Sequence, residues 1–240
     1  MLTGRFLQSR RHVALTAEER QRLENSITEV INLAPRSLVI RAEEVLEQST
    51  LLLEGFMCRY IDDDRGLRQL VAIHVPGDFV DLHAFPLKSL DHHVGTLTPA
   101  SIAQVPHSAL HAISQEMPDL TRKLWYATLL DAAIHRAWLF RMGRLDALGR
   151  VAHFLSETNV RLMAVGLSDG HSYAFGITQS DLAEICGLTS VHVNRVMRQL
   201  REERLCTFRS GLVQITDPEG LARRGQFDPG YLYMNKEKSA

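Results

Sequence analysis

The stretch from Ile177 to Leu205, reading ITQSDLAEICGLTSVHVNRVMRQLREERL, constrains this chain more than any other. Thr178 stands where a side-chain oxygen can cap a helix, and Asp181 follows at capping-box spacing. Leu182, Ile185 and Cys186 then form an apolar stripe at helical spacing. Gly187, lacking a Cβ, suits a tight turn. Thr189 is placed to cap a second helix running to Arg204. Val193, Val196, Met197 and Leu200 give that helix an inward face, while His192, Asn194, Arg195, Arg198 and Arg201 lie largely elsewhere. Two short helices joined by a Gly-containing turn make a helix-turn-helix, whose second helix enters the major groove of DNA.

Charge supports that reading only locally. The net charge is −1, so no global basicity advertises a nucleic acid. Residues 189–210, however, hold Arg195, Arg198, Arg201, Arg204 and Arg209 against Glu202 and Glu203, a balance of +3. A solvated helix face explains any one of these arginines. Five on a helix pair of this shape are the footprint of a small reading head. At 240 residues there is room for two domains. No apolar run approaches the roughly 18 residues of a membrane span. The N-terminus, MLTGRFLQSRRHVALT, lacks the apolar core of a secretory signal. Cys58, Cys186 and Cys206 are scattered with no CxxC pair, which argues against a disulfide framework or a cysteine zinc site. The expected setting is the cytoplasm, with no membrane partner.

Taken in order, Thr16 to Ile31 reads as a first helix. Thr16 caps it, Glu18 and Glu19 sit in its first turn, Leu23, Ile27, Val30 and Ile31 supply an apolar side, and Pro35 stops it. Residues 36–106 read as strands and turns: Leu38–Ile40, Ser49–Leu53, Gly55–Ile61, Leu67–Val75 and Ser101–Val105 are short and rich in branched and aromatic residues. Asp62–Gly66 is a hairpin turn, and Pro76-Gly77-Asp78 another. Short strands at this spacing suggest a sandwich or a double-sheet jelly roll.

From Pro118 to Met142 runs a long helix in which Thr121, Thr128 and His135 recur at heptad spacing. Leu120, Leu124, Ala127, Ile134 and Trp138 flank that stripe on one side; Tyr126, Leu130, Ala133, Ala137 and Phe140 flank it on the other. Such a helix needs two surfaces to bury against. The sheet domain supplies one, and a second copy of the helix in a coiled coil supplies the other, or else the helix is buried inside one subunit. Asp131 and Arg141 interrupt the seam. Gly143 can end this helix and Asp146 can cap the next, which marks a hinge and boundary. Residues 147–165 form that next helix, with Leu148, Val151, Leu155 and Leu162 inward. The polar segment Ser168–Tyr173 leads to the helix pair. After it, Arg209-Ser210-Gly211 turns between two strand-like runs in Cys206–Ile215, the hairpin wing of a winged helix-turn-helix. Asp217-Pro218 opens a small last helix through Arg223, and the tail Asn235–Ala240 is expected to be disordered.

The residues Ile177-Thr178, Leu182-Ala183, Gly187-Leu188-Thr189 and Val193-Asn194-Arg195, followed by Leu200 and Leu205, resemble the DNA-binding helix pair of the Crp/Fnr transcription regulators. The order of elements upstream fits the same family. The stretches LLLEGFMCRY and IHVPGDFVDL look like its jelly roll, which resembles cyclic-nucleotide-binding domains. The resemblance implies an α+β chain: a sensor jelly roll over residues 1–117, a dimerisation helix over 118–143, and a winged helix-turn-helix over 144–240. It implies a homodimer held through residues 118–142 that reads a palindromic operator in double-stranded DNA, and contact with RNA polymerase if the protein activates.

Base edges are read from the start of the recognition helix, here by Ser190, Val191, Asn194 and Arg195. Arg195 can bond bidentately to guanine, and the family places an arginine at this position. Asn194 can pair with adenine or reach a phosphate. Many relatives carry a glutamate where this chain has Val191, and valine can only touch a thymine methyl, so the half-site should differ. Thr189, His192, Arg198 and Arg209 are the expected phosphate contacts.

The sensor names no effector. Cyclic-nucleotide members of the family use a Gly-Glu pair and a phosphate-binding arginine. Here the matching region begins Gly77-Asp78, and no arginine lies between Arg68 and Arg122, where Lys88 is the permanent cation. Control by cyclic AMP is therefore not expected. An iron–sulfur mode needs N-terminal cysteines, and none precedes Cys58. His74, His83, His92 and His93, with Asp81, match no metal motif and read as scattered surface residues, so no metal or other cofactor is expected. Cys186 reads as a small core residue. Regulation by the protein's own abundance is the alternative to an effector. An enzyme is not expected: there is no GxSxG, phosphate loop or HExxH, so no catalytic residue is named.

Overall fold

The computed structural model describes residues 1–235, which form two compact units. One comprises Met1–Ile61 and Val71–Ala132; the other comprises Asp62–Leu70 and Ala133–Met234.

The first unit is built on two antiparallel sheets. One has strand order β1-β7-β3, from Glu29–Leu33 (β1), Ala100–Pro106 (β7) and Gln48–Glu54 (β3). The other has order β2-β6-β4-β5, from Leu38–Ile40 (β2), His93–Thr96 (β6), Met57–Asp62 (β4) and Arg68–His74 (β5). Alternation along a strand sends successive side chains to opposite faces. Thus Leu52 and Ile102 join Ile40, Met57 and Val94 in a core filled from both sheets. Their neighbours Leu51 and Ala103 join Phe6, Leu23, Ile113, Leu120 and Leu124 in a second core on the outer face. The hairpin at Asp62–Gly66 forms as expected: the Asp63 carboxylate accepts from the N–H groups of Arg65 and Leu67 (both 2.8 Å), and Gly66 takes φ +76.

Two helices differ from the sequence expectation. The first, Ala17–Glu24 (α1), has the expected Thr16 capping box but stops early. Val30 and Ile31 lie in β1 instead, paired with Ala103 and Ile102. A waiting sheet edge outweighs local helical spacing here. After a single turn at Ala84–Leu87 (α2), the unexpected helix His107–Glu116 (α3) follows β7 directly and buries Leu110 and Ile113.

The long helix, Pro118–Arg144 (α4), runs past Gly143, so the break falls at Leu145-Asp146. Asp131 and Arg141 both have partners within their own chain. Asp131 pairs with Arg59 at 2.5 Å, and Arg141 is fully buried in its own chain. Leu130 and Ala133, from the expected second row, are also buried within the chain. Of that row Phe140 is exposed, and beside it the exposed apolar positions are Trp125, Leu129 and Leu139, which neither expected row included.

In the second unit Asp146 caps Ala147–Ala164 (α5), accepting from Gly149 N–H at 2.7 Å. This helix is buried on most of its circumference. Ser172–Ala174 (β8), expected to be a polar connection, pairs with Leu212–Ile215 (β10), which also pairs with Cys206–Arg209 (β9). Between β9 and β10, Ser210 and Gly211 both take positive φ (50° and 74°), the mirror-image turn that matches strand twist. Asp217 caps Pro218–Arg224 (α8), the short last helix. The tail expected to be disordered lies outside the described residues except for Asn235, whose N–H donates to Ser9 O at 2.9 Å. Among the described residues no helix is long and apolar enough to cross a membrane.

Candidate nucleic-acid interface

The helix pair is Gln179–Cys186 (α6) and Ser190–Glu202 (α7). Thr178 Oγ1 accepts from Asp181 N–H at 3.2 Å, while the Asp181 carboxylate accepts from Thr178 N–H at 2.6 Å. Gly187 takes φ +59, and the N–H groups of Gly187 and Leu188 both return to Ala183 O. That left-handed residue closes α6 and frees the chain to start α7 only three residues later. Thr189 Oγ1 accepts from His192 N–H at 3.2 Å, so this hydroxyl caps α7. Val193, Val196, Met197 and Leu200 are buried. Ser190, Val191, Asn194, Arg195, Arg198 and Arg201 are exposed, with Val191 80% exposed at the helix start.

The structure divides the expected site residues into two groups. Asn194, Arg198 and Arg209 line a groove of about 280 Å³ between α7 and the wing. Thr189, Ser190, Val191, His192 and Arg195 do not line it and lie along α7 and its cap. The groove also takes in Gln179, Arg201, Thr207, Met197 and Phe208. Sequence reading did not name Gln179, Arg201 or Thr207 as contacts. Arg201 was visible in the local charge balance; Gln179 and Thr207 carry no such signal. Arg195, Arg198, Arg201 and Arg209 make no ion pair among the described residues, so their charge is available to an anion. Asn194 Nδ2 donates to Ser190 O at 3.0 Å, a bond it must release to reach a base.

A buried polar network ties α4 and α5 to the C-terminal segment. Glu157 accepts from Trp138 Nε1–H at 3.0 Å and from Tyr231 O–H at 2.6 Å, with Arg161 at 3.5 Å. The Cys186 and Cys206 thiols are buried, and burial pushes them up to about 11 and about 12. Neither thiol has the depressed pKa of a reactive cysteine.

The sheet-domain histidines correct the surface reading. His74 and His92 are only 3% and 8% exposed. Burial, then the charge of Arg59, lowers His74 to about 4 and His83 to about 3, so both are neutral at physiological pH. The rings of His83 and His92 lie 5.6 Å apart. Beside them, Arg59 donates from Nε to Val80 O at 2.8 Å and from Nη1 to Asp131. This buried arginine precedes Arg68 in the chain and so lies outside the stretch in which Lys88 is the permanent cation. Among the described residues no group of three His, Cys, Asp or Glu side chains is arranged to hold a metal ion.

A β-sheet domain, a long helix and a winged helix-turn-helix with free arginines define the class: a transcriptional regulator with a DNA-binding head. Residues 149–224 match the Crp-like helix-turn-helix domain family. The chain is 20% identical over 207 residues to the anaerobic regulatory protein of Haemophilus influenzae, covering 86% of this chain and 80% of that one. It is 27% identical over 186 residues to the nitrogen fixation regulation protein FixK of Bradyrhizobium diazoefficiens, covering 75% of each. The solved structure of FixK2 from Bradyrhizobium japonicum matches with a TM-score of 0.74 at 23% identity, covering 81% of this chain and 96% of that one, a likeness of fold. Residues 149–224 thus carry a Crp-like helix-turn-helix domain, and the relatives that this chain resembles over most of its length are regulatory proteins.

Proposed function

We propose that the protein reads a palindromic operator as a homodimer in the cytoplasm, with α7 in the major groove and the wing against the backbone. The observation that carries this reading is the set of unpaired arginines on α7 and the wing. Arg195 reads guanine; Asn194, once released from Ser190 O, reads adenine or holds a phosphate; exposed Val191 meets a thymine methyl. Arg198, Arg201 and Arg209 neutralise phosphates, joined by Thr189 and His192. The two copies meet along residues 118–142, where Trp125, Leu129 and Leu139 are 64%, 54% and 73% exposed. A dimer places two reading heads on half-sites about 34 Å apart. We divide the chain into a sensor over 1–117, the dimer helix over 118–143 and the DNA-binding domain over 144–240, with the hinge at Leu145-Asp146, where α4 ends. As an activator it would also touch RNA polymerase.

Control by cyclic AMP is not part of this proposal. Arg59, the cation buried beside the sheet histidines, is already committed to Val80 O and Asp131. The same observation favours a second reading, a regulator set by its own abundance. Thermal shift against a metabolite panel, cyclic nucleotides included, separates the two.

Selection of bound sequences from a random DNA pool tests the main reading. A two-fold symmetric consensus is expected, with a guanine that Arg195→Ala ceases to require. Recovery of no consensus at low salt would reject the proposal.

A further inference from the structure

Arg141 has no role in the reading of DNA as described so far, yet it is among the least accessible side chains of the molecule. Its guanidinium carbon lies 4.1 Å from the Trp138 ring centre and 5.3 Å from that of Phe154. Burial works against its charge and pushes its pKa below the ordinary value. Its Nε and Nη1 atoms have no hydrogen-bond partner among the described residues. A residue serving only to fill this space would be better apolar, because a buried cation with unmet donors is costly. The one hydrogen bond it makes is therefore informative: Nη2 donates to Ile185 O at 3.1 Å.

That carbonyl belongs to the last turn of α6. A helix leaves its final carbonyls without intrahelical donors and concentrates negative potential there. In α6, Ala183 O is met by the turn's own N–H groups, Ile185 O by Arg141, and Cys186 O by Arg150 Nη1 at 3.5 Å. Arg150 is itself tied to Leu145 O at 3.0 Å. Two cations, one from the end of α4 and one from the start of α5, thus hold the end of α6 together with the Gln69 side-chain amide, whose Nε2 donates to Glu184 O at 2.5 Å. The turn that follows is short, so the direction in which α6 ends sets where α7 begins.

We propose that Arg141 is a positioning residue for the reading head. Packed against the Trp138 and Phe154 rings, which stand edge to face, it fixes the C-terminal end of α6 and hence the angle at which α7 is presented. The effect on recognition rests on the DNA-reading proposal above; the effect on the turn does not.

The test uses the full chain with Arg141→Met, Arg141→Lys and, as a control, a substitution at Leu221 in α8 chosen to match the loss of melting temperature. Hydrogen exchange of the amides from Gly187 to Val193 is measured without DNA. Affinity is measured for the selected operator and for a scrambled duplex of equal length. Losing a charged hydrogen bond at a buried carbonyl should speed exchange in Arg141→Met by about tenfold and cut the preference for operator by about tenfold. Arg141→Lys, which keeps the charge and loses the guanidinium's contact with the two rings, should fall between it and the parent. The Leu221 control should change neither. Exchange and preference in Arg141→Met equal to those of the control would overturn the proposal. If Arg141→Met does not fold, exchange in Arg141→Lys equal to the parent's overturns it. If the parent itself does not distinguish operator from scrambled DNA, the DNA-reading proposal fails, and exchange alone decides the role of Arg141.

Discussion

Among single residues, Asp81 is a carboxyl enclosed in the sheet domain. Its side chain is fully buried. Oδ1 accepts from Thr50 N–H at 2.6 Å, while Oδ2 has no hydrogen-bond partner among the described residues. Burial raises its pKa from an ordinary 3.8 to about 7. The folded state therefore holds this proton more tightly than the unfolded chain. Between those two values the native form binds more protons, so this group's contribution to stability falls as pH rises and is fully lost above pH 7. His74 acts in the opposite direction. Its folded value of about 4 lies below the ordinary 6.5, so its contribution rises with pH across that window. Comparing Asp81→Asn with the parent isolates the carboxyl, because asparagine can still accept from Thr50. The variant should match the parent near pH 4 and exceed it by a few kcal/mol at pH 8 in urea unfolding. Parallel stability profiles would show that Asp81 does not titrate as described. Glu157 makes a complementary case. Alanine there strands the Trp138, Tyr231 and Arg161 donors together, and the expected loss is about 3–5 kcal/mol. Glutamine should cost less, and thermal unfolding of both variants gives the order.

Among elements, those that close themselves locally were the legible ones. The α6–α7 pair announces both starts through Thr178 and Thr189 and its single stop through Gly187, and all three perform those tasks. Removing the first of them is a clean test. Thr178→Ala breaks the capping box and should cost about 1 kcal/mol in thermal unfolding. An unchanged midpoint would mean that α6 is held by packing and by its C-terminal end alone. Elements whose fate depends on distant partners were not legible. Ile27 to Ile31 has helical spacing, but β7 offers Val30 and Ile31 a ladder, and the ladder wins. Helix α3 has no side-chain cap to announce it. Asp131 and Arg141 looked like breaks in a seam because their partners, Arg59 and Ile185 O, come from other elements. In the site the arginines were visible as charge, whereas Gln179 and Thr207 enter the groove only because the wing folds back beside α7.

At the scale of the whole molecule, the dimer proposal and the phosphate-contact proposal constrain each other. Leu129 and Leu139 are exposed on α4, and a glutamate at Leu129 would bury charge in the proposed seam. Leu129→Glu is expected to sediment as a monomer and to lose most operator affinity, while keeping its circular dichroism spectrum. Salt dependence then counts the arginines. Each phosphate neutralised lowers the slope of log K against log salt by about 0.9, so removing one contact should flatten it by about one. A homodimer carries Arg198 twice. Arg198→Ala should therefore flatten the slope by about two in the parent background but by only about one in the Leu129→Glu monomer. Arg195→Ala should instead cost sequence preference, because a base reader carries information that a phosphate contact does not. A change of about one in both backgrounds would break the dimer reading while leaving Arg198 on a phosphate. No change in either would remove Arg198 from the interface and leave α7 presented to DNA along a different face.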